Sequence, residues 1–153
     1  MPTPKLNKLF WLKNVNPKDT DEDWAYEGLP LADNFNLHWP TQAKSNAERA
    51  EIGDIILLIQ FTCVTHLVEV VGDVKSTNSK KHKWVREVKP LWSGVEVTPT
   101  TEKGSDDVLG FKYRCRDGQV ISIQSCKGFA RRWKGGGLSG LHDHVSKRLF
   151  GAP

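Results

Sequence analysis

Two neighbouring apolar segments near the middle of the chain constrain the fold more than any other feature. Residues Ile55 to Ile59 form an unbroken apolar run within DIILLIQFT. A strand with one exposed face alternates apolar and polar residues, so this run predicts a strand that is covered on both faces. The next segment, VTHLVEVV from Val64 to Val71, follows after a very short turn near Cys63. So short a connection predicts an antiparallel hairpin at the centre of a sheet.

Two further strands are predicted on the N-terminal and C-terminal sides of this hairpin in the sequence. Lys8 to Val15 (KLFWLKNV) is rich in aromatic and branched residues, which favours a strand. Lys18 to Pro40 holds aromatic residues without a sustained period and predicts a long loop. Trp84 to Trp92 (WVREVKPLW) alternates, but Pro90 cannot donate a ladder hydrogen bond. We therefore expect this strand at or near an edge of the sheet.

The segment FKYRCR, Phe111 to Arg116, has the clearest alternation in the chain. Phe111, Tyr113 and Cys115 fall on one face and the three basic residues on the other. This pattern predicts a strand with a core face and a cationic face. Asp117-Gly118 is a typical hairpin turn, so Gln119 to Gln124 (QVISIQ) is expected to return as the last strand.

Short helices are predicted outside these strands. Thr41 can cap a helix from about Gln42 to Ala50, a second helix is expected around Gly128 to Lys134, and an amphipathic helix from Ser139 to Phe150. The sequence thus predicts an α+β fold, in which peripheral short helices surround a small twisted β-barrel of five to six mostly antiparallel strands. The size fits one domain over residues 1–153, with a core of about 8–134 and a C-terminal helix at 138–150.

Composition excludes some classes of protein. The 153 residues are 38% apolar and 26% charged, which is typical of neither a disordered nor a membrane protein. The longest apolar run is far below the roughly 20 residues that span a bilayer, and the first residues lack the apolar stretch of a signal peptide. We therefore expect a cytoplasmic protein without a membrane partner. Cys63, Cys115 and Cys126 are an odd number without CxxC spacing, so they predict free thiols rather than disulfides or zinc ligands.

Positive charge is concentrated in the C-terminal part of the chain. Residues 1–60 carry a net charge of −3, residues 61–153 one of +7, and residues 112–134 contain seven bases and one acid. Such a cluster favours a polyanion partner, although it also fits a solvated face that keeps the protein soluble. The cations expected to contact phosphates are Arg114, Arg116, Arg131, Arg132 and Lys134. Lys80, Lys81 and Lys83 lie on a loop that can reach the same surface.

The order of these segments resembles the PUA-like superfamily, and within it most closely the EVE domains, with the YTH domains as more distant relatives. The resemblance covers about residues 8 to 134. Its segments are KLFWLKNVNP, a long loop with Trp24, a Gly-Asp turn into DIILLIQ, the hairpin into THLVEVVGD, and KWVREVKPLW. It implies a pseudo-barrel that binds RNA or DNA and holds one flipped-out, sometimes methylated base in an aromatic pocket. It also implies that the module can act alone or with a larger restriction or modification system.

The resemblance also implies where the base pocket lies. In such domains the pocket forms between the loop after the first strand and the loop of the central hairpin, which here are residues 14–39 and 62–65. A base needs flat apolar walls and fixed donors and acceptors at its edge. The residues that fit are the walls Trp24, Trp39 and Trp92 and the edge readers Asn14, Asn16, Thr62 and Thr65. Three other tryptophans, Trp11, Trp84 and Trp133, are expected to be packing residues.

Enzyme functions find little support in the sequence. His142 and His144 are two positions apart and face different ways on a helix, His66 is expected to be a satisfied core or pocket-edge residue, and Cys63 has no activating third group. The sequence also lacks a Walker-type phosphate loop and a dinucleotide-binding glycine motif. We therefore expect a nucleic-acid-binding module without a metal or another cofactor. Two alternatives stay open: a PUA-like enzyme acting on RNA or a nucleotide, and a protein-interaction domain with exposed aromatic residues.

Overall fold

The structure, a computed structural model, describes residues 4–15, 31–60, 62–94, 104–113 and 119–151. Within these ranges the chain forms short helices and the strands of one sheet. The strands are β1 (Leu9–Asn14), β2 (Phe35–Trp39), β3 (Ile55–Gln60), β4 (Cys63–Val70), β5 (Lys75–Ser76), β6 (Trp84–Ser93) and β7 (Val120–Ser122). The helices are α1 (Lys44–Ala47), α2 (Ser105–Leu109), α3 (Lys127–Arg132) and α4 (Gly137–Phe150), and a 3₁₀ turn spans Ile123–Ser125.

The sheet has the strand order β2-β6-β4-β3-β1-β7, and the two-residue strand β5 also pairs with β6. Strands β1 and β3 are parallel, whereas the other pairs are antiparallel. The sheet curls into a half-barrel. The predicted α+β class and barrel-like shape are thus confirmed, with seven strands in the described ranges instead of five to six.

The central strand β3 separates two hydrophobic cores. Every residue of β3 is buried, as its apolar run predicts. Ile55, Leu57 and Ile59 belong to a core that α2, α3 and α4 cover, so we call their side of the sheet the three-helix face. Ile56 and Leu58 belong to the other core, which α1 covers, and we call that side the α1 face. The strand alternates between two cores because successive side chains point to opposite faces.

The hairpin of β3 and β4 is antiparallel, as predicted, with Gln60 opposite Cys63. The turn before β3 also forms where the Gly-Asp pair predicts it. Gly53 has a φ of 99°, a conformation that glycine adopts without steric cost. The carboxylate of Asp54 accepts hydrogen bonds from Glu51 N at 2.9 Å and from Trp11 Nε1 at 3.0 Å. Asp54 therefore ties this turn to β1.

A single side chain joins the two edges of the curled sheet. Its edge strands are β2 and β7. Asn46 of α1 accepts hydrogen bonds at Oδ1 from Trp39 Nε1 of β2 (3.0 Å) and from Val120 N of β7 (2.7 Å). Its Nδ2 donates to Val120 O at 2.9 Å. Among the described residues, an amide side chain thus bridges the gap that a strand ladder would fill in a closed barrel.

Trp84 to Trp92 forms β6, which lies between the edge strand β2 and β4, so the prediction of a strand at or near an edge of the sheet is confirmed. Two local features accommodate Pro90. Strand β2 pairs only with Trp84 to Val88, so Pro90 lies beyond its end. On the other side Pro90 pairs with Val68, next to a shift of register in β4. Proline is accepted at such irregularities because the ladder hydrogen bond is already interrupted there.

The long loop predicted for Lys18 to Pro40 contains strand β2 in its described part. Leu37 and Trp39 are fully buried, whereas Asn36 is exposed and His38 is half-buried. This is a period-two pattern that is only five residues long. The sequence did not predict β2 because this alternating pattern is short and directly follows residues without a regular period.

The strand predicted for Phe111 to Arg116 does not form over its described residues, 111–113. The alternation nevertheless sets burial, since Phe111 and Tyr113 are buried and Lys112 is exposed. Residues 114–118, with the expected hairpin turn, lie outside the described ranges. The last strand, β7, is shorter than predicted and pairs with β1.

The helices lie close to their predicted positions, except for α2, which the sequence analysis missed. Helix α1 is shorter than the predicted segment Gln42 to Ala50, whereas α3 and α4 match their predictions closely. On α4, Leu141, Val145 and Leu149 form the apolar stripe that packs on the three-helix face. None of the described helices has the length and apolarity needed to cross a membrane.

Candidate nucleic-acid interface

A surface groove of about 430 Å³ lies between α3 and the segment that precedes residue 114. Four of its lining side chains are cationic, and an aromatic ring lies among them. The lining residues are Phe111, Lys112, Lys127, Gly128, Arg131 and Arg132. The groove therefore gathers basic residues that are distant in the sequence around one apolar ring.

The close approach of α3 to Phe111 depends on a glycine. A Cβ atom at Gly128 would lie 2.8 Å from Cδ2 and 2.9 Å from Cβ of Phe111, closer than real side chains allow. The Phe111 ring meets that of Phe129 edge-on, with centroids 6.5 Å apart. Phe111 lines the groove but is only 7% exposed. The lack of a side chain at residue 128 thus lets the backbone of α3 pack directly on the ring.

The cations of the groove have no acidic partner among the residues that the structure describes. Lys127 and Arg131 are four positions apart on α3, which places them on one side of the helix. Arg131 and Arg132 occupy its last turn, where positive charge stabilises the helix. The guanidinium of Arg132 also lies 4.0 Å from the centroid of the Trp133 ring. No acidic side chain in the described ranges pairs with Lys112, Lys127, Arg131 or Arg132.

The structure brings together part of the predicted phosphate-binding set. Arg131 and Arg132 line the groove, and Lys134 is exposed just beyond α3. Arg114 and Arg116 lie outside the described residues. Lys112 and Lys127 belong to the basic cluster of residues 112–134, but they are not among the cations predicted to contact phosphates. Their position follows from the packing of α3 on Phe111, which local patterns do not reveal.

The predicted wall Trp39 lies in the core of the α1 face and is fully buried. Its Nε1 is bonded to Asn46, and Lys13 Nζ lies 4.9 Å from the ring centroid. A base can reach this ring only if the core opens. Asn14 follows Lys13 on β1, so its side chain points away from Trp39, to the opposite face of the sheet. These two predicted pocket residues are therefore separated by the sheet.

The other predicted pocket residues that the structure describes lie in different surroundings. Trp92 packs against the core of the three-helix face, and its side chain is half-buried. Thr65 is fully buried, with Oγ1 3.0 Å from Nδ1 of His66. Thr62 is exposed at the hairpin turn and has a φ of 60°, a left-handed conformation that branched residues rarely adopt. Trp24 and Asn16 lie outside the described residues.

Three polar side chains that the sequence analysis did not select for the pocket are buried close to the hairpin. Lys13, Gln60 and His66 are each at most 2% exposed. Lys13 and His66 both lie opposite Leu58, on β1 and β4 respectively, and the ring of Phe35 is 5.4 Å from that of His66. Buried polar groups are as a rule satisfied by hydrogen bonds; Nδ1 of His66 lies 3.0 Å from Thr65 Oγ1, whereas its Nε2 has no hydrogen-bond partner among the described residues. Only an interruption of the apolar pattern by a lysine at position 13 could have indicated them.

The remaining candidates of the sequence analysis are placed as follows. Burial raises the pKa of the Cys63 thiol, so it is protonated at neutral pH. His142 Nε2 lies 2.8 Å from Leu9 O, and His144 Nε2 lies 2.9 Å from Asp107 O, so the two rings face different elements as predicted. No cluster of three His, Cys, Asp or Glu side chains that could hold a metal ion occurs in the described ranges.

No protein-family model and no curated protein matches this chain. Among solved structures, it is similar to a hypothetical protein from Leishmania major at 15% identity and a TM-score of 0.45, over 84% of this chain and 95% of that chain. It is also similar to a protein from Agrobacterium tumefaciens at 16% identity and a TM-score of 0.43, over 83% of this chain and 92% of that chain. Neither similarity bears on function, and the resemblance to EVE domains stays a prediction from the sequence.

Proposed function

We propose that this protein is a nucleic-acid-binding module whose basic groove holds the phosphate backbone. The observation that supports this function is the gathering around Phe111 of four cations that pair with no acidic side chain in the described ranges. Lysine and arginine side chains on phosphates supply most of the affinity of nucleic-acid-binding proteins and carry no sequence information. The groove therefore fits the role of the surface that supplies most of the binding affinity in such a protein.

The chemistry of the groove favours single strands or unpaired segments over a regular duplex. An aromatic ring beside cations is the usual combination in proteins that bind single strands, where bases stack on rings and the groove follows the backbone. Phe111 lines the groove and is 7% exposed. Arg131 and Arg132 can each donate two hydrogen bonds to a phosphate in fork geometry, whereas Lys112 and Lys127 act as point charges.

Recognition of a modified base is the finer part of the proposal. The resemblance to EVE domains supports it, and Trp24 is the residue on which it mainly depends, since Trp39 is buried in this structure. A base that stacks on an indole gains about 1–3 kcal/mol. The base pocket would then provide selectivity, and the groove would provide affinity.

Removal of two groove charges is expected to weaken binding. We expect Lys127→Gln with Arg131→Gln to lower the affinity for an oligonucleotide roughly tenfold to a hundredfold, since each charge-assisted contact is worth about 1–1.5 kcal/mol. The slope of log affinity against log salt is expected to become shallower by about one to two. Fluorescence anisotropy with labelled single-stranded DNA and RNA at several salt concentrations measures both quantities.

The matched control removes two exposed lysines that do not line the groove, Lys5→Gln with Lys147→Gln. The control has the same net charge as the groove variant, so general electrostatics affect both alike. Equal loss of affinity in the two variants would mean that the groove has no special role. Binding that does not respond to salt would contradict the proposal and favour a protein partner.

Replacement of Trp24 tests the base-reading part. We expect Trp24→Ala to remove any preference for an oligonucleotide with methylated adenine or cytosine over the unmodified one, because the stacking wall is lost. The salt dependence of binding is expected to stay as in the unaltered protein. Competition between methylated and unmodified oligonucleotides measures the preference. An unaltered preference in Trp24→Ala would exclude this residue as a pocket wall.

A further inference from the structure

A second cationic surface surrounds Trp84 on the α1 face. We call it the lysine surface, and it consists of the half-buried indole and four exposed lysines: Trp84, Lys44, Lys80, Lys81 and Lys83. Trp84 packs against the core of the α1 face, whereas Phe111 of the groove belongs to the core of the three-helix face. The expectation that these loop lysines reach the same surface as the groove is therefore wrong. The sheet lies between the two surfaces.

Hydrogen bonds fix the loop that carries three of these lysines. Thr41 donates from Oγ1 to Lys80 O at 2.6 Å and from N to Lys81 O at 2.9 Å. Thr77 N donates to Lys83 O at 2.6 Å. These bonds use backbone carbonyls and leave the ammonium groups available. The loop thus presents its charges from an ordered backbone, which lowers the entropy lost when a ligand binds.

Two of the ammonium groups share one aromatic ring. Nζ of Lys44 and Nζ of Lys83 lie 5.2 and 5.1 Å from the centroid of the Trp84 ring, so they are at most about 10 Å apart, which is one Debye length at moderate salt. The ring is fixed because Trp84 Nε1 donates to Thr41 O at 2.8 Å. No acidic side chain in the described part of the chain pairs with these lysines. Like charges held this close attract a polyanion.

We infer that the lysine surface is a second phosphate-binding site, so that one copy of the protein holds two nucleic-acid segments, one on each side of the sheet. This inference rests on the proposed function of the groove. The two surfaces share the same chemistry, exposed unpaired cations beside an aromatic ring. A flat anionic membrane could contact only one of two opposite surfaces, whereas nucleic-acid strands can contact both.

Energy transfer between two oligonucleotides tests the inference. Single-stranded DNA labelled with a donor is mixed with the same DNA labelled with an acceptor, and the protein is added at low salt. We expect transfer in the unaltered protein and its loss, to the level without protein, in Lys44→Gln with Lys83→Gln. Anisotropy is expected to show that this variant still binds the first oligonucleotide within about twofold of the unaltered affinity, because the groove is intact.

Lys44→Arg with Lys83→Arg is the matched control, since it keeps both charges and should keep the transfer. Circular dichroism checks that all variants fold, and Lys80→Gln with Lys81→Gln provides a second test that leaves the Trp84 ring contacts untouched. Transfer that persists in the glutamine variants would overturn the inference, and so would DNA binding without transfer in the unaltered protein. Equal displacement by poly-glutamate would also overturn it, in favour of an acidic protein partner. Failure of the proposed function looks different, because the Lys127 and Arg131 variant would then bind normally.

Discussion

Replacement of Arg86 by methionine is expected to lower the free energy of unfolding by about 3–5 kcal/mol, because a buried charged donor that satisfies several carbonyls is removed. Arg86 lies on β6 and is 3% exposed. Its Nε donates to Gly72 O at 3.0 Å, and its Nη1 donates to Ala47 O at 3.1 Å and also to Ala50 O. The guanidinium thus binds the end of α1 and the turn after β4 to the sheet.

Burial also acts on the charge of this side chain. It lowers the pKa of Arg86, and the carboxylates of Asp73, Asp54 and Glu48 oppose this shift. The guanidinium stays protonated at neutral pH because the ordinary pKa of arginine lies far above neutral. Methionine fills much of the volume but leaves the carbonyls of Gly72, Ala47 and Ala50 without this donor. The expected loss therefore comes from unsatisfied acceptors more than from a cavity.

Urea denaturation followed by circular dichroism measures the effect of Arg86→Met. Lys89→Met is the matched control, since Lys89 is exposed on the same strand and its loss is expected to change stability by less than about 0.5 kcal/mol. Arg86→Lys separates charge from geometry, because an ammonium group cannot reproduce the fork of a guanidinium. A loss below 1 kcal/mol in Arg86→Met would show that water replaces the guanidinium at these carbonyls.

Replacement of Trp39 by alanine is expected to cost about 3–5 kcal/mol of stability, as for other large aromatic residues in a core. Trp39 is fully buried, and its Nε1 contributes to the hydrogen bonds of Asn46 that join β2 and β7. Alanine removes the ring and opens a cavity between the edges of the sheet. Thermal unfolding monitored by circular dichroism measures the loss.

This prediction separates the structural role of Trp39 from the role in a base pocket that the resemblance implies. Trp39→Phe keeps an aromatic ring but removes the N–H donor, so we expect a smaller loss of about 1–2 kcal/mol, mainly because Asn46 Oδ1 loses one of its two hydrogen bonds and keeps the one from Val120 N. Nucleic-acid affinity measured well below the unfolding temperature should be the same in Trp39→Phe and the unaltered protein. A large loss of affinity with little loss of stability would indicate that the indole stacks on a ligand.

Much of the fold could be predicted because local patterns report which residues are buried. The apolar run Ile55 to Ile59 predicted a strand covered on both faces, and the structure places it between two cores. The short connection before Cys63 predicted the hairpin, and the stripe of Leu141, Val145 and Leu149 predicted helix α4. In these segments the spacing of apolar residues along the chain matches the pattern of buried residues in the structure.

Other elements could not be predicted because their neighbours decide them. Pro90 indicated a strand at or near an edge of the sheet, but its place next to the edge strand β2 and beside a register shift in β4 depends on the neighbouring strands. The parallel pairing of β1 with β3 joins residues that are more than forty positions apart, such as Leu12 and Leu57. The alternation of Phe111 to Tyr113 is satisfied by packing on α3 without a strand.

The sequence by itself determined the central strand β3, its hairpin with β4, helix α4 and the presence of a basic segment, since these depend on side-chain type and spacing along the chain. The tertiary structure decided which cations share a surface. Lys112 lines the same groove as Lys127 and Arg131 because Gly128 lets α3 pack on Phe111. The lysine surface lies on the other side of the sheet because β3 separates two hydrophobic cores. Contacts between distant segments depend on the packing of whole elements, which a local pattern does not encode.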